Sequence, residues 1–233
     1  MFKAESAQLL PVAPFDLIVF GAAGDLAMRK LVPSLYHRWK DGQIPADSRI
    51  IGAARTAMES KAYRALAFEN FRKFHPKEPI DGAAWRLFSE RLSYVEFDVM
   101  GNSSNWAALR DALGSANGKQ RVFYLALPPG LYGEACRNID AAGVKTPGAR
   151  IVLEKPIGND LTSAREINDA VGAVFDPFNF IFPGAKGLRA MAVKGLTNAK
   201  YAPIMLRMGS FPSTIRTIVG KTAGLADDLA GGV

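Results

Sequence analysis

Residues 15–30 read FDLIVFGAAGDLAMRK, and this stretch decides the fold. An apolar run, Leu17-Ile18-Val19-Phe20, meets a small-residue turn, Gly21-Ala22-Ala23-Gly24, and a charged, helix-compatible segment follows from Asp25. That order is a buried strand feeding a helix through a turn tight enough for backbone N–H groups to approach a phosphate. The turn lacks the third glycine of the full G-x-G-x-x-G fingerprint, so a plain strand–turn–helix junction explains it equally well on its own.

The same alternation continues downstream. Leu26, Leu31, Leu35 and Trp39 share one helical face over 25–40, with Pro33 inside the pattern predicting a kink or an early stop. A second strand is predicted over Ser48–Arg55, helices over 60–74 and 83–92, and a third strand over Leu92–Phe97 leading to Asp98-Val99. A helix capped by a serine is predicted over 104–113. Arg121–Leu127 reads as a buried strand stopped by Pro128-Pro129, followed by a helix over Leu131–Ala142, a strand over Arg150–Leu153 and a helix over 160–174 starting at Asp160 or Thr162. Strands alternating with helices at this spacing predict an α/β fold: a Rossmann-like, doubly wound, mainly parallel sheet over residues 1–176.

Beyond Asp176 the texture changes. The run from Pro177 mixes proline, glycine and apolar residues with no sustained period, and no acidic residue occurs from there to Ala226. Of the net charge of +7, residues 177–233 carry +5, from 7 basic and 2 acidic side chains. The basic residues are dispersed, which argues against a nucleic-acid surface. With 48% hydrophobic residues the 233-residue chain can bury a sizeable core. A single cysteine, Cys136, excludes an internal disulfide and reads as a small buried hydrophobe. No apolar run approaches the roughly 18 residues of a membrane span, and the first fourteen residues lack a secretory signal; a cytoplasmic protein is expected.

Three addresses carry chemistry. Arg55 lies just past the second strand, where a dinucleotide fold contacts the adenosine ribose; an arginine there suits a 2′-phosphate, hence NADP, and otherwise it is a solvated surface residue. Asp98 and Val99 close the third strand, beside the ligand crevice of an open parallel sheet. Lys155 follows the strand predicted over Arg150–Leu153 and precedes Pro156, a place where an ammonium can hold an anionic group. His37 and His75 are the only histidines; neither lies near a predicted strand end, so no histidine base is evident. No metal-ligand spacing occurs.

GAAGDLAMRKLVPSLY at 21–36, IIGAAR at 50–55, FDV at 97–99, FYLALPP at 123–129 and EKPIG at 154–158 come in one order. As a set they resemble the N-terminal half of the glucose-6-phosphate dehydrogenase family, over residues 15–176. The resemblance implies NADP-dependent oxidation of glucose 6-phosphate to its lactone, in the pentose phosphate pathway. It also implies a phosphate turn made of Gly21, Ala22, Ala23, Gly24, Asp25, Leu26, Ala27 and Met28. Arg55 then faces the 2′-phosphate, Asp98 and Val99 flank the cofactor, and Lys155 lies between cofactor and substrate. After GAVFD at 172–176 the family continues with an RIDHYLGKE-type segment that binds the sugar phosphate, and its histidine base lies further on; here PFNFIFPGAKG follows. The expectation is a truncated or frame-disrupted product, with a divergent tail over 177–233 in place of the family's α+β domain and its oligomer interface. Such a chain is impaired or inactive alone. The alternatives are a non-catalytic NADP-binding module and an oxidoreductase of the glucose–fructose oxidoreductase type, in which the lysine of EKP is itself catalytic.

Overall fold

The computed structural model describes residues 13–154, 157, 160–175 and the backbone of 180–181. Six parallel strands form one sheet in the order β3-β2-β1-β4-β5-β6. They are β1 (Phe15–Phe20), β2 (Arg49–Ala54), β3 (Leu92–Glu96), β4 (Gln120–Leu125), β5 (Arg150–Leu153) and the two-residue β6 (Phe180–Ile181). From β1 the chain winds outward through β2 to β3, then returns to β1's other side as β4. The carboxyl ends of β1 and β4 therefore bound the crevice where such sheets take their ligands. β6 pairs with β5 through Ile151–Phe180 and Val152–Ile181, so the sheet extends past Asp176.

Helices cover both faces, which is why all six residues of β1 are buried and the strands read as apolar runs. The sheet's period of two sorts them. Leu17, Val19, Ile50, Val122 and Tyr124 pack under α1 (Val32–Lys40), α2 (Ser60–Phe74) and α3 (Gly82–Ser89). Ile18, Phe20, Ile51, Phe123 and Leu125 pack under α4 (Ser103–Leu113), α5 (Tyr132–Ala141) and α6 (Leu161–Gly172). Cys136 is fully buried in this second layer, and burial pushes its thiol up to about 12, which removes it as a nucleophile at neutral pH.

Three local expectations change. Pro33 does not end the first helix: Ala27–Leu31 form a π-helical turn, Val32 N–H bonds to Ala27 O, and Pro33 falls in the first turn of α1. An α-helical proline would leave the carbonyl four residues back without its donor and in its way. Widening the turn relieves the clash, and the ring Nε2 of His75 stands 3.4 Å from that carbonyl, Arg29 O. The cap of α4 is Asn102, whose side-chain oxygen accepts from Asn105 N–H, two residues ahead of the expected serine, Ser104. β3 and β4 stop at Glu96 and Leu125, each short of the predicted end. α6 is capped at Asp160, where Asp160 and Ser163 form a capping box.

Candidate functional site

The glycine turn sits on the carboxyl end of β1 and is clamped by both neighbouring strands. Gly21 N–H donates to Ala53 O at 2.9 Å, and Ala126 N–H donates to Phe20 O at 3.0 Å. Gly21 has φ +78°, and a Cβ there would lie 2.2 Å from Ala126 O, so only glycine fits. Gly24 N–H closes the turn on Gly21 O at 2.9 Å, and Met28 N–H reaches Gly24 O at 3.1 Å. Ala22, Ala27 and Met28 are buried and anchor the turn, Ala23 and Leu26 are half-buried, and Gly24 and Asp25 face outward. The first-turn N–H groups that follow have no intrahelical acceptors, which makes this an anion-ready helix start. Asp25 puts a carboxylate at the same place, and Arg29 pairs with it at 3.1 Å.

Beneath the turn lies a feature that the sequence reading missed. A Cβ on Gly52 would stand 2.9 Å from Ala22 Cβ and 2.9 Å from the Tyr63 ring. Tyr63 is buried, with its hydroxyl 3.5 Å from Ala22 O. A glycine inside a buried strand was the available signal, because it marks close approach of a neighbour.

Arg55 directly follows β2, is exposed, and forms no ion pair with another described residue. The loop carrying it is tied down. Tyr94 Oη on β3 is 2.8 Å from Ala54 O and 2.7 Å from Thr56 O. Asp98 and Val99 follow β3 by two and three residues and are occupied by the fold. Asp98 N–H donates to Asn105 Oδ1 at 3.1 Å, its carboxylate accepts from Met100 N–H at 3.0 Å, and Val99 is buried with its carbonyl accepting from Asn138.

On the other side of the crevice Glu154 directly follows β5. The Tyr124 hydroxyl donates to its carboxylate, and the Tyr132 hydroxyl donates to its backbone oxygen at 2.9 Å. Burial, reinforced by the Glu154 charge, holds both phenols protonated: Tyr124 well above its ordinary range and Tyr132 up to about 12. Both tyrosines lie in or beside the FYLALPP stretch, where a phenol in an apolar run signals a buried hydroxyl seeking a partner. Lys155 and Pro156, predicted next to this clamp, lie outside the described residues.

His37 Nε2 is 3.3 Å from Glu78, and His75 Nδ1 is 3.7 Å from the same carboxylate. Both histidines are therefore engaged on the helical layer. Among the described residues no three ligands assemble for a metal ion, and no helix is long and apolar enough to cross a membrane.

Residues 18–181 match the family described as "Glucose-6-phosphate dehydrogenase, NAD binding domain". The chain belongs to the glucose-6-phosphate dehydrogenase family. The glucose-6-phosphate 1-dehydrogenase of Gluconobacter oxydans is 45% identical over 165 residues, covering 70% of this chain and 34% of that protein. The Rhizobium meliloti enzyme of the same name is 36% identical over 203 residues, covering 85% of this chain, so its likeness runs past Asp176, and 41% of that protein. A Mycobacterium avium glucose-6-phosphate 1-dehydrogenase crystal structure superposes with TM-score 0.67 at 28% identity, over 76% of this chain and 37% of that one. The chain thus spans about a third to two-fifths of the length of these two relatives, and the matched part is the family's NAD-binding domain.

Proposed function

We propose that this chain is the NADP-binding part of a glucose-6-phosphate 1-dehydrogenase. The observation that carries the reading is the pairing of the Gly21–Met28 turn with an exposed Arg55, without an ion pair among the described residues, at the adjoining strand end. The turn's N–H groups take the pyrophosphate, and the guanidinium takes the 2′-phosphate through charge-assisted hydrogen bonds. Asp98 and Val99 border the adenosine side, and Lys155 serves the nicotinamide and substrate side. When bound, the cofactor supplies the hydride acceptor.

The reaction also needs a base for the sugar hydroxyl and a pocket that orients the sugar. This chain's two histidines are committed to Glu78, and His75 also to Arg29 O. Binding without turnover is therefore the expected behaviour of the 233-residue chain, with residues 1–176 as the binding domain, whose sheet β6 extends by one strand at the start of the divergent segment 177–233. Two measurements test this: titration with NADP and with NAD, and absorbance at 340 nm with NADP and glucose 6-phosphate. Saturable binding that favours NADP, with no absorbance gain, is expected. Equal affinity for the two dinucleotides overturns the Arg55 assignment, and robust reduction overturns the loss of turnover.

A further inference from the structure

The loop that presents Arg55 is held from outside β2. Tyr94, on the neighbouring strand, is 9% exposed, and its ring packs on Tyr63 at 4.9 Å between centroids. Its hydroxyl oxygen lies 2.8 Å from Ala54 O and 2.7 Å from Thr56 O, the carbonyls of the residues immediately before and after Arg55. Ala54 O already accepts the Phe97 N–H at 2.9 Å, so the single phenolic proton is best used on Thr56 O, a carbonyl that β-pairing does not reach. Tyr94 is itself bolted down: its N–H donates to Ser60 Oγ at 2.9 Å, and Ser60 opens α2, where the Arg55 loop ends. The Tyr94 hydroxyl thus fixes the carbonyl after the arginine, the Phe97 N–H fixes the one before it, and a serine anchors Tyr94 to the far end of the same loop.

Fixing both flanking carbonyls fixes the Cα–Cβ direction of Arg55. A guanidinium on a long, exposed stem is most selective when its backbone is pre-oriented, since less freedom is lost on meeting a phosphate. We propose that Tyr94 is a positioning residue that aims Arg55, and through it a determinant of the preference for a 2′-phosphorylated dinucleotide over an unphosphorylated one. This rests on the assignment of Arg55 to the 2′-phosphate made above.

The test uses the full chain and four proteins, wild type, R55A, Y94F and the double variant, each titrated with NADP and with NAD by calorimetry, with melting temperatures measured in parallel. R55A should lose roughly tenfold or more in NADP affinity and leave NAD unchanged. Y94F keeps the ring contact with Tyr63 and should lose roughly three- to tenfold for NADP alone, as expected for one hydrogen bond. Adding Y94F to R55A should change neither affinity further. Equal weakening of both dinucleotides by Y94F, or additive losses in the double variant, would reduce Tyr94 to a packing role. If R55A leaves NADP unaffected, the Arg55 assignment fails independently of Tyr94. Should Y94F not fold, S60A takes its place: a smaller NADP-selective loss supports the device, and an unchanged NADP-to-NAD ratio in folded S60A overturns it.

Discussion

The two ends of the sheet treat charge in opposite ways. At the amino ends of β1, β2 and β4, Asp16 is fully buried and grips Arg49 with both carboxylate oxygens, at 2.8 and 2.5 Å. Arg121, 5% exposed, has its Nε 4.0 Å from the same carboxylate without a hydrogen bond there, and donates from Nη1 to Val144 O and from Nη2 to Gly114 O. Arg49 also donates to Leu113 O at 2.8 Å. Every partner there comes from the chain itself, and the network ties three strands to the loops after α4 and α5. At the carboxyl ends, Gly24, Asp25 and Arg55 face outward, and among the described residues the arginine has no carboxylate partner. Buried charge satisfied internally is architecture, whereas exposed charge held on a braced backbone is available to a ligand.

This contrast can be broken from either end. The largest effect is expected for Asp16→Ala, which strands the buried Arg121 and releases Arg49; about 3 kcal/mol of stability should be lost. Urea unfolding measures it, while NADP affinity of the folded fraction should stay within a factor of two or so, because the network lies at the far end of the strands. A parallel collapse of affinity would show that the two ends are coupled.

Gly21→Ala should act the other way round. The left-handed backbone and the clash with Ala126 O together cost about 2 kcal/mol or more in stability and displace the turn itself. NADP binding should become undetectable by calorimetry while circular dichroism still reports a folded chain. Retained affinity would remove the turn from the site.

Gly52→Ala sharpens the comparison one layer below. Its Cβ meets Ala22 and the Tyr63 ring, so overpacking should cost about 1–2 kcal/mol and weaken both dinucleotides equally, in contrast to R55A. A NADP-selective loss would contradict the view that Gly52 supports the turn rather than the 2′-phosphate contact.

The smallest effect concerns Tyr132 and pH. Its folded value is raised, by burial first and by Glu154 second, from 10.0 to about 12. The unfolded chain therefore releases that proton first. The stabilisation is complete below pH 10 and is lost as pH rises towards 12. Phenolate absorbance at 295 nm should lag behind free tyrosine and rise together with unfolding. Full ionisation of all tyrosines near pH 10 with the fold intact would count against the clamp on Glu154.

Most of the fold was legible because β1, β2, β4 and β5 are covered on both faces and so read as unbroken apolar runs. The helices between them are half-covered and show a helical period. Legibility failed where a distant residue sets the outcome. Pro33 reads as a breaker in a linear pattern, yet it is tolerated because Ala27–Leu31 widen into a π-turn and His75, more than forty positions away, approaches the freed carbonyl.

Local sequence by itself determined the small-residue turn after β1, the alternation of strands and helices, the family, and the arginine after β2, because each depends on neighbours a few residues apart. Tertiary structure alone decided which strands adjoin, that β1 and β4 bound the crevice, that Asp16 meets Arg49 and Arg121, and that the Tyr94 hydroxyl lands on the carbonyls beside Arg55. Those contacts join residues some 30 to 105 positions apart, and strand register brings them together. Register is set by the summed packing of two helical layers, a quantity that no short stretch of sequence carries.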